Sequence, residues 1–560
     1  MTSLRKIPLR FIFFNSLLAC ALVRVFHLQP NIGGLSPSLV YIGIFQLLFA
    51  TQLVLFFIYA ILIYPFYVSP LRHLYSPKGG KPLLGHGIEI QKHGPGPMAR
   101  KWFSETDSDD LMRILFPGNQ EALVIRSPQA LSEVLVKNSM QYEKPDFARQ
   151  FLSHIIGWAL LNTEGEVHKK QRRNMNPAFS FRHIKDLYPL FWSKSREVIT
   201  AMTEEHRANY AAADYVRMDI SAWAVRSGLD IIGLAASGID FGAIQNAQSP
   251  LANTYYKLNP SSEDILLIIL WAVIPDAIMT RLPLSRITEV IAAAKSLREV
   301  ATELIRVKKT KMANKEDMGV DILSVALRAG LFSDEELVDQ ALTFLSAGHE
   351  TTASALIWAV YMLCRFPAAQ ERLRNEIRAA IPSPQNADSG ISSVDIDSLP
   401  YLNAVCDEVL RLYGPVPATI RVNNCDTTIQ GQFIPRNTMV LIPIWAINTD
   451  PLLWGPDAND FKPERWLKSH DDGTGHTYTA SAGLSNNYAF MTFLQGPHKC
   501  IGNTFSRSEM ACLLAAWVGR FSFELDDPTL MDERNVIIPP SVVAKPEGGL
   551  QMKVRVVDGW

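Results

Sequence analysis

The stretch Phe493-Leu494-Gln495-Gly496-Pro497-His498-Lys499-Cys500-Ile501-Gly502 decides how the rest of this chain is read. It sets one cysteine in a glycine-punctuated loop just ahead of an apolar, helix-forming stretch, Ser506 to Phe521. A thiolate is a soft metal ligand, and the N-terminus of a helix stabilises negative charge. Gly496 and Gly502 let the backbone pass close to a flat ligand where a Cβ would collide. The competing reading is a buried, inert thiol, the common fate of an intracellular cysteine. Other parts of the chain decide between the two.

Ala347-Gly348-His349-Glu350-Thr351-Thr352 lies in a helical pattern from about Ser333 to Cys364. A glycine, an acid and two β-branched alcohols weaken a helix that is otherwise apolar. They suit a polar notch, because hydroxyls bond back to helix carbonyls and loosen the turn. Taken alone, the segment is equally a strained turn with a satisfied carboxylate. Glu408 and Arg411 stand three apart and share one helix face. By itself that is an ordinary surface ion pair, worth under about 1 kcal/mol. His168 and Arg172 lie one helical turn apart in a basic run that would otherwise be a solvated helix face.

With 48% hydrophobic and 19% charged residues the composition is that of a folded protein. The net charge of −1 implies no nucleic-acid partner. Six scattered cysteines without a C-x-x-C pair argue against a zinc site and against a disulfide scaffold. No Asn-x-Ser/Thr sequon has an allowed middle residue, which fits a catalytic part outside the secretory lumen. No Gly-rich nucleotide fingerprint follows a strand-like run. Helical patterns dominate from Ala148 to Ala380, with short β-like runs at Ala122–Ile125, Thr427–Phe433, Met439–Pro443 and Leu550–Val557.

Leu39 to Tyr67 carries no charged residue, and about 20 such residues span a bilayer. An earlier apolar block, Phe11 to Val23, reads as a second span if Arg24 snorkels, and otherwise as an interfacial or signal-type segment. Two spans, about 9–28 and 39–64, are expected here. Arg5, Lys6 and Arg10 precede the first, Arg72, Lys78 and Lys81 follow the second, and the link between is poor in Lys and Arg. The positive-inside rule then places both flanks in the cytosol. Residues 1–70 thus form an anchor, 71–82 a Pro/Gly hinge and 83–560 a catalytic domain.

The cysteine loop resembles the haem-binding signature of the cytochrome P450 family, Phe-x-x-Gly-x-Arg-x-Cys-x-Gly, with one departure: His498 stands where arginine is usual. The notch resembles that family's oxygen-binding segment, Ala/Gly-Gly-x-Asp/Glu-Thr. Glu408-Val409-Leu410-Arg411, between Leu399-Pro400-Tyr401-Leu402 and Leu412-Tyr413-Gly414-Pro415, is similar to its Glu-x-x-Arg helix. Phe461-Lys462-Pro463-Glu464-Arg465-Trp466 resembles its Pro-Glu-Arg-Phe segment, with Trp for Phe. His168 and Arg172, followed by Pro177-Ala178-Phe179, match its Trp/His-x-x-x-Arg element. These segments run in family order from about Pro77 to the C-terminal strands, so one large domain is expected although a length of 560 suggests several.

The resemblance implies a mainly α fold with a small β portion, preceded here by N-terminal transmembrane helices. It implies haem b with Cys500 as axial thiolate, held also by Phe493 and Gly496. His168, Arg172 and Arg421 would bind its propionates, since arginine grips carboxylates bidentately. His498, shorter and neutral at pH 7 by default, would be a weaker fourth. Glu350 and Thr351 would relay protons, while Ala347 and Gly348 leave room for dioxygen. Glu408, Arg411 and Arg465 would form a structural triad. Thr343, Phe344, Ala347, Ala418, Thr419 and Ile420 would line a mainly apolar substrate pocket.

Electrons would come from NADPH through NADPH–cytochrome reductase, with Lys499 and Arg507 helping it dock. The reaction implied is insertion of one oxygen atom from O2 into a lipophilic small molecule, at the endoplasmic reticulum membrane with the catalytic domain facing the cytosol. The pattern is most similar to fungal members that oxidise terpenoid, polyketide or alkaloid scaffolds in secondary metabolism. The apolar run Ile265–Pro275 either dips into the bilayer or is a buried helix. Two other classes stay open. One is a haem-thiolate isomerase or dehydratase that needs no reductase, the other a non-catalytic haem-binding protein.

Overall fold

The computed structural model describes residues 9–25, 36–106, 110–209, 215–258, 276–384, 390–469, 476–484 and 486–560, and the single positions 267, 270, 271 and 274. Most of the Ile265–Pro275 run, the end of the expected 9–28 span and the link to the next helix lie outside the described residues.

Helix α1 (Leu9–Val25) has 17 residues, and α2 (Pro37–Ile58) continues as wider turns through Tyr59–Val68. The helix Ser38–Val68, 31 residues with mean hydropathy 2.3, is the one described helix long and apolar enough to cross a membrane. A second crossing helix is thus not established. At 17 residues, α1 sits at the lower limit of about 17–25 for a span. It packs on α2 nonetheless, with Gln52 Nε2 donating to Ser16 Oγ at 3.1 Å and Phe13 edge-on to Phe45 at 5.4 Å.

The far end of the apolar helix is joined to the globule by its own backbone. The carbonyl of Ile61 lies in these wider turns, to which Pro65 contributes no N–H. Asn119 Nδ2 donates to that carbonyl at 2.9 Å. Arg113 Nη2 donates to Pro65 O at 2.6 Å, and its guanidinium lies 6.0 Å from the Phe66 ring centre. Both donors come from one hairpin, since Arg113 is in β1 (Leu111–Phe116) and Asn119 in the turn before β2 (Gln120–Ile125). The Pro/Gly segment that follows is also tied in. Leu71 is buried, Arg113 N donates to Tyr75 O, and a His86 ring nitrogen meets Pro77 O at 2.9 Å.

The rest is mainly helical. In chain order the elements that frame the site are β3 (Tyr142–Glu143), α3 (Asp146–Ile156), α4 (Gly165–Met175), α5 (Tyr188–Asn209), β4 (Val216–Asp219), α6 (Ile220–Ile232), α7 (Ser285–Ala313) and α8 (Asp334–Arg365). They continue with α9 (Pro400–Leu412), β5 (Thr419–Asn423), β6 (Met439–Ile442), α10 (Asn503–Arg520), β7 (Phe521–Leu525) and β8 (Gln551–Val556). A five-stranded sheet has the order β1-β2-β6-β5-β3, with β2 and β6 parallel. A smaller sheet orders β7-β8-β4. The run Thr427–Phe433 is a hairpin rather than one strand, because Gln430 and Gly431 both take positive φ (50° and 75°) in a two-residue turn.

Helix α8 is the spine. Ser333 caps it reciprocally with Glu336, at 3.2 and 2.8 Å, and three acids fill its first turn. Pro367 follows its end, where a proline starts the next helix. Helices α6, α7 and α10 pack on it, and it is buried from Leu337 to Leu345 and again from Thr352 to Cys364. Between these stretches the burial breaks: Ala347 is exposed, while Ser346, Gly348, Glu350 and Thr351 are half-buried.

Candidate active site

The cysteine loop is a clamped turn. Leu494 and Gly496 both take positive φ (56° and 77°), Lys499 N donates to Gly496 O at 3.0 Å, and Cys500 N donates to Phe493 O at 2.9 Å. A Cβ on Gly496 would lie 2.1 Å from Leu135 O, so glycine is required there by the chain itself. Gly502 has no such need, since its added Cβ would sit in ordinary contact, 3.9 Å from Cys500 Sγ. Gly496→Ala is expected to cost at least about 1–2 kcal/mol from the backbone alone, plus the collision. The thermal midpoint of the purified protein reads this, and an unchanged midpoint refutes the clamp.

Solvent reaches Cys500, which is exposed at the foot of α10, a helix buried from Ser508 to Arg520. The thiol lies at depth, and burial pushes its pKa up. The Gly502 N–H and the charges of Arg172 and Lys499 act the other way and favour the thiolate. Arg172 also donates to the Lys499 carbonyl, tying α4 to the loop, and its Nε reaches Asn176 Oδ1 at 3.1 Å.

Beside this loop is a buried cluster that the sequence reading only half foresaw. The His168 and His498 rings stack with centroids 4.0 Å apart. Burial holds His168 at about 4 and His498 at about 3, so both are neutral at pH 7. His498 Nε2 lies 3.3 Å from Glu164 Oε2, and Lys144 Nζ lies 2.8 Å from Glu164 Oε1. Burial works against the Glu164 charge, but Lys144 outweighs it and holds the carboxyl below its usual range. Arg421 is 3% exposed, and among the described residues its hydrogen bonds go only to Thr419 Oγ1 and Ile420 O. Glu164 and Lys144 escaped sequence reasoning because a lone acid and a lone lysine carry no local signal.

On α8, Thr351 Oγ1 donates to Ala347 O at 2.8 Å and Thr352 Oγ1 to Gly348 O at 3.2 Å, the back-bonding expected of the notch. Gly348 serves a different purpose from the one expected. Its missing Cβ would lie 2.6 Å from Ile232 Cδ1, so its smallness admits α6, and Ala347 is the position that opens to solvent. Glu350 pairs with Lys545 at 3.1 Å. The C-terminal loop that carries Lys545 is pinned by Ser354 Oγ and Trp358 Nε1, which both donate to Ala544 O at 2.6 and 2.9 Å.

Glu408, Arg411 and Arg465 come together. Arg411 Nε and Nη2 grip the two Glu408 oxygens at 2.8 Å each, and Arg465 Nε reaches Oε1 at 2.9 Å. Glu408 and Arg411 are 0% exposed. Trp466 Nε1 adds a fourth donor to Glu408 at 2.9 Å. Arg507, expected to help dock a reductase, is instead turned inward. It pairs with Asp407 and lies over Phe493 and Phe490, at 5.2 and 5.5 Å. Of the expected pocket lining, Ala418, Thr419 and Ile420 are half-buried on and before β5. Thr343 and Phe344 are buried, with Phe344 edge-on to Phe179 at 5.2 Å, which makes it part of the core.

A cysteine in a clamped loop, an opening at Ala347 and a buried arginine that, among the described residues, hydrogen-bonds no carboxylate fit a flat, dianionic, thiolate-ligated cofactor such as haem. A family model described as Cytochrome P450 matches residues 76–553. Cytochrome P450 monooxygenase sphH of Aspergillus fumigatus is 40% identical over 90% of this chain and 91% of its own. Cytochrome P450 monooxygenase FUM15 of Gibberella moniliformis is 36% identical over 97% and 98%. Cytochrome P450 monooxygenase buaD of Petromyces alliaceus is 37% identical over 92% and 93%.

Proposed function

The chain belongs to the cytochrome P450 family, and from that premise we propose that it oxidises a lipophilic small molecule of fungal secondary metabolism. It is a haem-thiolate monooxygenase that takes electrons from NADPH through a reductase. When bound, the haem supplies the activation of dioxygen, which its thiolate ligand favours. The observation that carries the assignment to this site is Cys500 held in its clamped loop, where the charges of Arg172 and Lys499 oppose the rise that burial imposes on its thiol. Cys500 would hold the iron, Phe493 and Gly496 would shape the loop around it, and Arg172, Arg421, His168 and His498 would bind the propionates.

Glu350 and Thr351 hold and move protons, at the carboxylate and at Oγ1. Lys545, 40% exposed and 3.1 Å from Glu350, links that pair to bulk water. Ala347, Ala418, Thr419 and Ile420 border the substrate, and Thr343 and Phe344 support them from the core. Lys499 meets the reductase, Arg507 being committed to Asp407. The domain 83–560 faces the cytosol at the endoplasmic reticulum, carried by an anchor over 1–70 in which α1 is a second, short span. Residues 71–82 join the two.

Comparative mass spectra of a producing host and the same host carrying Cys500→Ala test the reading. A new product one oxygen heavier than the accumulating precursor, labelled from O2 gas, is expected. A product that differs by water, or carries no label, overturns monooxygenation.

A further inference from the structure

This inference rests on the reading that Cys500 holds a haem. We propose that Lys144 is the cation that meets a haem propionate in place of the arginine absent at position 498.

The sheet puts Lys144 there. Strand β3 pairs antiparallel with β5, Tyr142 opposite Asn423 and Glu143 opposite Val422. The next step of that register sets Lys144 across from Arg421. Pro145, the cap of α3, follows at once and fixes the backbone direction. The Lys144 side chain is 18% exposed, with Nζ 2.8 Å from Glu164 Oε1. The Lys144 backbone N–H reaches the same oxygen at 3.0 Å. The other oxygen of Glu164 faces His498 Nε2 at 3.3 Å. Lys144 and His498 therefore bracket one carboxylate from opposite sides. A cation just after β3 thus shares its carboxylate with position 498.

Charge agrees with geometry. Lys144 and Arg421 both feel one acid, Glu164, while Arg172 stands by His168 and bonds to Asn176 and the Lys499 carbonyl instead of a carboxylate, so cations outnumber acids in this cluster. A haem carries two propionates. An arginine at 498 beside Lys144 would overshoot that balance, whereas histidine there and lysine at 144 meet it. An ammonium has three donors, and one of them satisfies Glu164. Two are left for another acceptor. Lysine is a point charge without a fork, so it serves both partners without a set geometry.

The rival account is that Lys144 only neutralises Glu164. Full-length holoprotein in four forms separates the two: wild type, Lys144→Met, Lys144→Met with Glu164→Gln, and Lys144→Met with His498→Arg. The readout is the rate of haem transfer to excess apomyoglobin, which needs no substrate or turnover. Lys144→Met is expected to lose haem on the order of tenfold faster, the effect of one charge-assisted hydrogen bond. Neutralising Glu164 as well leaves that loss in place, and His498→Arg reverses most of it. Restoration by Glu164→Gln, or wild-type haem loss in Lys144→Met, overturns the proposal. Failure of the underlying reading shows separately, as a wild-type ferrous–CO complex without a thiolate-type Soret band.

Discussion

Arg411→Leu is expected to leave almost no haem-loaded protein. Arg411 is fully buried, grips both oxygens of Glu408, and donates to the carbonyls of Asn448, Ala458 and Asp460. Leucine fills part of the volume but removes every one of these donors. Glu408 keeps Arg465 and Trp466, yet two buried carbonyls and the part-buried one of Asp460 lose a charged partner. Breaking a buried pair from one side costs about 3–5 kcal/mol. Whole domains are stable by only about 5–15 kcal/mol. Arg465→Leu makes the useful contrast: that side chain is 9% exposed and gives Glu408 one bond, so a smaller loss is expected. Soluble holoprotein per cell, read by reduced-CO absorbance, ranks the variants. Equal yields from Arg411→Leu and wild type would sink the structural role of the triad.

The second large effect is at Cys500. Cys500→Ala removes the only thiol of the clamped loop and leaves its backbone geometry unchanged, since alanine accepts the same φ and ψ. The protein is expected to fold with a thermal midpoint close to that of a wild-type sample stripped of haem, while the thiolate-type Soret band and product formation are both lost. Three of the other five cysteines are closed off by burial. Cys364, Cys406 and Cys512 are buried, and burial pushes each thiol up and out of reach of a thiolate at neutral pH. A Cys500→Ala protein that kept product formation would remove the haem-thiolate assignment.

What was legible in the sequence was whatever the chemistry writes locally. The cysteine loop, the acid–alcohol notch on α8 and the Glu408–Arg411 helix each place their key residues within one turn or one loop. What escaped was set by tertiary contact. Gly348 reads as space for a ligand, but α6 fills that space with Ile232. Arg507 reads as a surface cation because nothing nearby in sequence announces Asp407. Lys144 and Glu164 are 20 residues apart and meet only in the fold, one just after β3 and the other capping α4. Strand β1, Leu-Met-Arg-Ile-Leu-Phe, lacks the period-two alternation that marks a half-exposed strand, because its first four positions are all buried.

The joint at Pro65 bears on how the enzyme sits at a bilayer. In the proposed anchoring, a helix of 31 residues exceeds the length a bilayer core requires, and such helices take up the surplus by tilting. Asn119 and Arg113 hold carbonyls of that same helix, not of a slack tether beyond it. In that anchoring, a tilt of the helix acts on the globule through these two bonds. Membrane thickness then becomes a setting of the enzyme's posture, deciding which of its faces rests against the lipid headgroups.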